Sequence, residues 1–163
     1  MGAFSGSLTF KQYLVRDPIP DEWKTSFQKG VERYTFRPLD PASDSERSVG
    51  WCSPHFPLDL ELELSEFIFT DYLVLGMRID AWSVPSSTLK IYTEAECRRI
   101  MTEQHRDNLS RYEVAEIKER VKMDLKRRIL PTIKTVEMVW NWRDDVVRFF
   151  SSSQKVNLEF VDL

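Results

Sequence analysis

The sequence lacks an apolar run that could cross a bilayer, which takes roughly 20 consecutive residues, so we expect no transmembrane helix. Residues 1–10 contain neither a basic stretch nor a long apolar stretch, and we expect no secretory signal peptide. Cysteine is scarce: Cys52 and Cys97 stand alone and do not have the C-x-x-C spacing of a zinc or redox motif. Unpaired cysteines of this kind are typical of a reducing compartment, which predicts a cytoplasmic protein.

The sequence also lacks a nucleophile elbow, a phosphate-binding loop and a dinucleotide fingerprint. A magnesium nuclease needs clustered carboxylates. Asp144 and Asp145 lie in a predicted turn, and Glu116 lies in the middle of a predicted helix with no second acid in a strand. His55 and His105 are isolated, which is typical of surface positions. We therefore expect neither an enzyme nor a bound cofactor or metal.

Apolar residues are present in sufficient number to form a core, since 42% of the 163 residues are hydrophobic and 12% are aromatic. Charged residues make up 30% of the chain, above the usual quarter, which indicates a well-solvated surface. The length predicts a single unit over residues 1–163, or two tightly joined subdomains over 1–84 and 85–163.

Prolines, turn residues and apolar periodicity predict an α+β fold with antiparallel sheets and a long helix pair. Strands are expected over 4–15, 48–53, 67–79, 135–142 and 146–150. Helices are expected over 22–34, 86–104, 111–130 and 155–163. A capping box of Ser110 and Glu113 marks the start of the third helix. Residues 37–47 are expected to form a loop, and the strict alternation over 58–64 fits either an edge strand or an irregular excursion.

Most aromatic residues lie in apolar patterns, so core packing explains them better than stacking on nucleic-acid bases. The aromatic residues assigned to the core in this way are Phe10, Phe27, Phe67, Phe69 and Tyr72. In the second predicted helix, the residues expected to be buried are Leu89, Ile91, Tyr92, Ala95 and Ile100.

The predicted helix over 111–130 carries two neighbouring stripes, one apolar and one basic. The apolar stripe consists of Val114, Ile117, Val121 and Leu125. The basic stripe consists of Arg111, Lys118, Lys122 and Lys126, with Arg120, Arg127 and Arg128 on other faces. Residues 98–134 contain eleven Lys and Arg against six Asp and Glu, an excess of five positive charges. Because the net charge of the chain is −3, the remainder must carry eight excess negative charges.

This segregation of charge fits two interpretations. A protein that binds duplex DNA needs Lys and Arg along one surface to displace counterions from the phosphates. A solvated helix face with its own ion pairs, such as Glu116 with Arg120, explains the same residues. Composition and spacing leave both interpretations open.

Short motifs in the first half of the chain resemble the RdgC family of bacterial DNA-binding proteins. The segment Gly6-Ser7-Leu8-Thr9-Phe10, with Tyr13, is similar to the first strand of the family. Ser48-Val49-Gly50-Trp51, followed by Pro54, resembles its Gly-Trp-x-x-Pro strand. In the family, a strand leads into a long helix pair. This step resembles the segment from Tyr72 through Asp80, followed by Pro85, Leu89 and Lys90.

The second half continues the resemblance. Leu130-Pro131 is similar to the Leu-Leu-Pro boundary of the family. The family's hairpin and the helix after it are similar to a segment of this chain that contains Val139-Trp140-Asn141, Val147 and Ser151 to Ser153 before Lys155. Each motif is short, and the resemblance lies in their shared order and spacing over nearly the whole chain.

The resemblance implies a non-enzymatic protein that forms a head-to-head, ring-like homodimer, whose basic hole admits double-stranded DNA without sequence preference. It implies a nucleoid-associated protein that restrains homologous recombination by blocking access of the RecA recombinase. Carried onto this sequence, the DNA-binding candidates are Lys118, Lys122, Lys126, Arg127, Arg128 and, in the following loop, Lys134.

Two departures from the family favour an alternative. Residues 131–135 are shorter than the loop with which longer relatives close the ring, and the C-terminal part of those relatives is absent. The last predicted helix ends on the apolar residues Phe160, Val161 and Leu163, as if the chain stopped where relatives continue. These features fit an oligomeric interaction module that has the RdgC-like fold and has lost DNA binding.

Overall fold

A computed structural model describes residues 9–43 and 45–163. Its strands are β1 (Lys11–Leu14), β2 (Arg47–Cys52), β3 (Ile68–Phe69), β4 (Tyr72–Ala81), β5 (Thr132–Asn141) and β6 (Val146–Phe149). Its helices are α1 (Trp23–Arg33), α2 (Ser86–Glu103), α3 (Arg111–Lys126) and α4 (Gln154–Val161). The predicted α+β class is confirmed. The start of the first predicted strand and the motif residues Gly6, Ser7 and Leu8 lie outside the described residues.

The described strands form an antiparallel sheet in the order β1-β6-β5-β4-β2, with β3 paired to β4. The predicted hairpin across residues 143–145 is confirmed as β5 and β6. Its turn is fixed by Asn141, whose side-chain oxygen accepts from the backbone N–H groups of Arg143 and Asp144 at 3.0 and 3.2 Å. The amide of Asn141 donates to the Asp144 carboxylate at 2.7 Å, so this acid is engaged in the turn.

The chain divides into two compact units. The first contains the described residues up to Pro38 together with Ser48–Asp80 and Ile133–Leu163, and so includes the sheet, α1 and α4. The second contains Leu39–Arg47 and Ala81–Thr132, and so includes α2 and α3. Among the described residues, no helix combines the length and the apolar character that crossing a bilayer requires.

The main core of the first unit forms between the sheet and the apolar faces of α1 and α4. Val31 of α1 and Val156 of α4 are buried in it with the inward side chains of β4 and β5. Phe160 of α4 stacks on Phe149 with ring centroids 4.2 Å apart. Apolar residues at spacings of three and four on each helix are what direct these faces inward.

A close approach of two backbones explains the glycine of the Gly-Trp motif. Strand β2 pairs locally with the segment that follows α1. The Trp51 N–H donates to the Tyr34 carbonyl and the Phe36 N–H donates to the Trp51 carbonyl, both at 2.9 Å. A Cβ atom on Gly50 would lie 2.4 Å from the Phe36 Cα. Only glycine therefore fits at this position of β2.

A buried ion pair lies at the end of β4. Arg78 donates two parallel hydrogen bonds to Asp80, from Nε to Oδ1 at 2.8 Å and from Nη2 to Oδ2 at 2.7 Å. The side chains are only 8% and 2% exposed. The guanidinium also donates to the Pro57 carbonyl at 3.2 Å and lies 4.2 Å from the centre of the Phe36 ring.

The core of the second unit forms between α2 and α3. Ile117, Val121 and Leu125 are buried against partly buried residues that include Leu89 and Ile100. Thr93 is also buried, and its hydroxyl is satisfied by the Leu89 carbonyl at 2.7 Å.

The prediction for the buried face of α2 was wrong in part. Ile91, Tyr92 and Ala95 are exposed, because the residues that face α3 lie on the stripe of Leu89, Thr93 and Ile100. Assigning every apolar residue of the helix to the core made that face too wide.

The single long strand predicted over 67–79 was also wrong. The chain forms a 3-10 turn at Leu64–Phe67 and then a tight hairpin, in which Ile68 of β3 pairs with Leu73 of β4. The reversal takes place at Thr70, which has a φ of 55° in the left-handed region. Neither glycine nor asparagine marks this turn in the sequence, so the hairpin lacked its usual signal.

The segment over 58–64 is irregular until the 3-10 turn begins at Leu64, which resolves the two alternatives left open for its alternating pattern. Leu62 and Leu64 point into the main core. Gln28 of α1 binds the backbone of both residues, donating to the Leu62 carbonyl and accepting from the Leu64 N–H at 2.9 Å each. The side chain of a helix residue thus takes the place of a neighbouring strand.

Three of the five aromatic residues assigned to the core are exposed. Phe67 is buried and Phe27 is half-buried against the core, but Phe10, Phe69 and Tyr72 are exposed. Phe69 and Tyr72 pair with each other in the hairpin, next to its turn. Phe10 lies just before β1, with its ring 5.6 Å from that of Phe150.

Candidate nucleic-acid interface

Helix α3 begins at the predicted capping box, which is confirmed. The Ser110 hydroxyl accepts from the Glu113 N–H at 3.2 Å, and the Glu113 carboxylate accepts from the Ser110 N–H at 2.7 Å. Arg106 adds an ion pair to Glu113 at 2.6 Å. The Arg106 guanidinium and the Ser110 N–H together lower the pKa of Glu113 to about 2, so the carboxylate stays charged near the positive end of the helix dipole.

The apolar stripe of α3 sets the orientation of its basic stripe. Ile117, Val121 and Leu125 are buried as predicted, whereas Val114 is exposed near the start of the helix. The basic residues Lys118, Lys122 and Lys126 follow one another at a spacing of four, so they share one side of the helix. Burial of the neighbouring stripe fixes which way that side faces.

The three lysines of the stripe differ in exposure. Lys118 is exposed, the side chain of Lys122 is 31% exposed, and that of Lys126 is only 4% exposed. Lys126 therefore cannot reach a phosphate at the surface in the way that Lys118 can. The sequence pattern treated the three as equivalent because helical periodicity does not show where the apolar stripe ends.

Glu46 is the acidic partner of two of these lysines. Its Oε1 atom lies 2.6 Å from the Lys122 Nζ and 3.3 Å from the Lys126 Nζ. The hydrogen bonds from Lys122 and Lys126 hold the pKa of Glu46 below its usual range, and Glu46 in turn raises the pKa of Lys122. Sequence reasoning missed Glu46, because no local spacing connects it to a helix that begins more than sixty residues later.

The remaining candidates lie beyond the helix. α3 ends at Lys126 instead of the predicted residue 130, so Arg127 is its C-cap and Arg128 follows it. Both are exposed, and Arg127 lies 3.8 Å from the Asp124 carboxylate. Lys134 is exposed in β5 of the first unit, not in a loop as predicted.

Other cations of residues 98–134 form ion pairs with acidic residues of α2. Arg99 pairs with Glu96 and Glu103 at 2.8 and 2.5 Å, and Arg120 pairs with Glu96 at 3.3 Å. The pairing of Arg120 with Glu116 that we considered was wrong, since Arg120 turns toward α2 instead. Within the described part of the chain, Lys118, Arg128 and Lys134 form no ion pair.

Other chemistry-bearing residues are dispersed. Among residues 9–43 and 45–163, no group of three or more His, Cys, Asp and Glu could hold a metal ion. Burial raises the pKa of the Cys52 thiol to about 12, which keeps it protonated and unreactive. His55 and His105 are exposed at separate places in the chain.

No protein-family model matches the chain, and no curated protein matches it in sequence. The likeness to the RdgC family accordingly stands on the short motifs quoted above.

Proposed function

We propose that the protein binds double-stranded DNA without reading its sequence, as a homodimer of the RdgC type associated with the nucleoid. By covering duplex DNA it would restrain homologous recombination and oppose RecA. The proposal includes no catalytic step and no cofactor. Its basis is the order of the sequence motifs together with the exposed cations on and after α3.

The observation that carries the proposal is a set of exposed cations on α3 and just after it. Among the described residues Lys118 and Arg128 form no ion pair, and the side chain of Lys122 is 31% exposed. Lys118 and Lys122 are one turn apart on the same side of the helix, so they can contact neighbouring phosphates of one DNA strand. Arg128 follows the helix on another face and would make a separate phosphate contact.

The chemistry of these side chains explains why sequence would not be read. Contacts from Lys and Arg to phosphates position a protein on the duplex but carry no information about the bases. Specific reading needs side chains that reach the base edges in a groove. Exposed cations on and after a helix whose apolar stripe is buried against α2 support the first kind of contact.

The test is a binding titration with a fluorescent duplex of mixed sequence, carried out at several salt concentrations. The variant Lys118→Ala/Arg128→Ala removes two cations that form no ion pair within the described part of the chain. It should lower the salt dependence, measured as the slope of log K against log salt, by about 2, since each lost phosphate contact lowers it by about 0.9.

A matched control is Lys90→Ala/Arg99→Ala, which removes two cations from α2 that are already paired with acids at 3.9 Å and at 2.8 and 2.5 Å. This variant has the same net charge as the first and should keep the wild-type slope. Equal effects of the two variants would show that net charge alone governs binding. Absence of binding by the wild-type protein at low salt would overturn the proposal.

One observation favours the alternative of an oligomeric interaction module. On α4, Leu158 and Val161 are exposed although Phe160 between them packs into the core. Exposed apolar residues on one helix are typical of a protein contact when they form a patch. If the alternative holds, Leu158→Asp/Val161→Asp should dissociate an oligomer in sedimentation experiments, and the wild-type protein should not bind DNA.

A further inference from the structure

A small polar cleft lies within the second unit, around the carboxylate of Glu46. It has a volume of about 330 Å³, and Glu46, Trp82, Ser86, Lys122 and Lys126 contribute to its walls. We call it the Glu46 cleft. Its charged groups point at one another, since the ammonium groups of Lys122 and Lys126 both lie close to the Glu46 carboxylate.

The first feature of that arrangement is a surplus of positive charge. Two ammonium groups converge on a single oxygen, Oε1 of Glu46, at 2.6 and 3.3 Å. One carboxylate cannot neutralise both, and Glu119 acts on Lys122 only through its more distant charge. The Lys126 side chain is 4% exposed, so its ammonium group depends on an anion in the cleft for compensation, whereas Lys122 is 31% exposed and partly solvated.

The second feature is the start of a helix that has no cap of its own. The cleft reaches Ser86, the first residue of α2. The N-cap of this 18-residue helix is Pro85, which provides no side-chain cap, and its first turn contains no acidic residue. The free N–H groups and positive dipole end of the helix are thus not compensated by its own residues.

The third feature is that the Glu46 side chain has room to rotate out of the cleft. Its backbone is held in place, since its carbonyl accepts from the Trp82 N–H at 2.9 Å, but 51% of its side chain is exposed. Rotation of the side chain would carry the carboxylate into solvent and leave both ammonium groups in position.

We propose that the Glu46 cleft is a binding site for one phosphate group, and that the Glu46 carboxylate occupies it in the free protein as an internal competitor. A phosphate oxygen would take the place of Oε1 between Lys122 and Lys126, and the N–H groups at the start of α2 would be further donors. If the protein binds DNA as proposed above, a backbone phosphate is the ligand, and Glu46 weakens binding until it is displaced. Free phosphate has the same chemistry and serves as the probe of the site itself.

The experiment compares Glu46→Gln with Glu116→Gln, which makes the same change of charge on an exposed residue of α3. The melting temperature is measured in inorganic phosphate and in chloride at equal ionic strength. Phosphate should raise the melting temperature of Glu46→Gln, and it should leave wild type, Glu116→Gln and the double variant Glu46→Gln/Lys122→Ala unchanged. If Glu46→Gln does not fold, Glu46→Asp retains the charge on a shorter side chain and should show the same phosphate effect at smaller size.

The second arm uses duplex DNA. Glu46→Gln should bind about tenfold more tightly than wild type, equivalent to removal of one competing ion pair, with an unchanged salt slope because the same phosphate is engaged. Phosphate stabilisation without any DNA binding would retain the site and refute the proposed function. DNA binding by wild type, with no response of Glu46→Gln to phosphate and no gain in its DNA affinity, would overturn the site and leave the proposed function standing.

Discussion

The buried pair of Arg78 and Asp80 allows a quantitative prediction about stability. Replacing Asp80 with Leu leaves the guanidinium 8% exposed, next to the Phe36 ring and without its counterion. Loss of one partner of such a pair costs about 3–5 kcal/mol, because the remaining charge is buried and uncompensated. Against a total stability of roughly 5–15 kcal/mol, this is a large fraction.

Replacing both residues should cost much less than replacing one. In Arg78→Met/Asp80→Leu no charge is left in the pocket, and the Met side chain can still pack on the Phe36 ring. Exchange of a buried ion pair for apolar residues of similar volume is often neutral or stabilising. The single and double variants therefore predict a strong coupling between the two positions.

Urea unfolding followed by circular dichroism measures this coupling. With a slope of about 2 kcal/mol per molar urea, Asp80→Leu should lower the midpoint by about 2 M, while the double variant stays within about 0.5 M of wild type. Arg78→Met alone should lower the midpoint by a similar amount, since it leaves the Asp80 carboxylate buried without its counterion. A single variant as stable as the double one would show that the two charges are not buried together as a pair.

Two further predictions concern Gly50 in β2 and the start of α3. Gly50→Ala places a Cβ atom 2.4 Å from the Phe36 Cα, and since backbone must move, thermal unfolding should show a loss of about 3 kcal/mol. Ser110→Ala removes the cap of α3 and should cost about 1 kcal/mol in the same assay. Because the pKa of Glu113 is lowered to about 2, its stabilising effect is complete above about pH 4.5 and is lost as the pH falls toward 2. NMR titration of the Glu113 carboxyl should show a higher midpoint in Ser110→Ala, and an unchanged midpoint would contradict the role of the box.

Local signals were sufficient for most elements of the fold. The capping box placed the start of α3 because two side chains three residues apart satisfy each other's backbone groups. The β5–β6 hairpin followed from two apolar runs on either side of a polar turn. The hairpin at Thr70 was missed because its left-handed residue is a threonine, and sequence reasoning expects glycine or asparagine at such a position.

The candidate site was harder to predict because burial depends on distant partners. A stripe of lysines at a spacing of four has the same sequence pattern whether all are exposed or one is buried. Lys126 is buried because Glu46, on a segment far away in sequence, provides a counterion for it. Likewise Phe10 and Tyr72 are apolar residues of a sheet edge and a hairpin, and their patterns do not show that the neighbouring surface is uncovered.

The proposed binding of duplex DNA is best examined by measuring the affinity of the wild-type protein for two unrelated duplexes of equal length at several salt concentrations. Binding through phosphates alone should give equal affinities for the two sequences and a linear fall of log K with log salt, with a slope of about −0.9 for each phosphate contacted. Lys118, Lys122 and Arg128 alone would give a slope of about −3 per protomer. A marked preference for one sequence, or an affinity independent of salt, would contradict binding through phosphates alone.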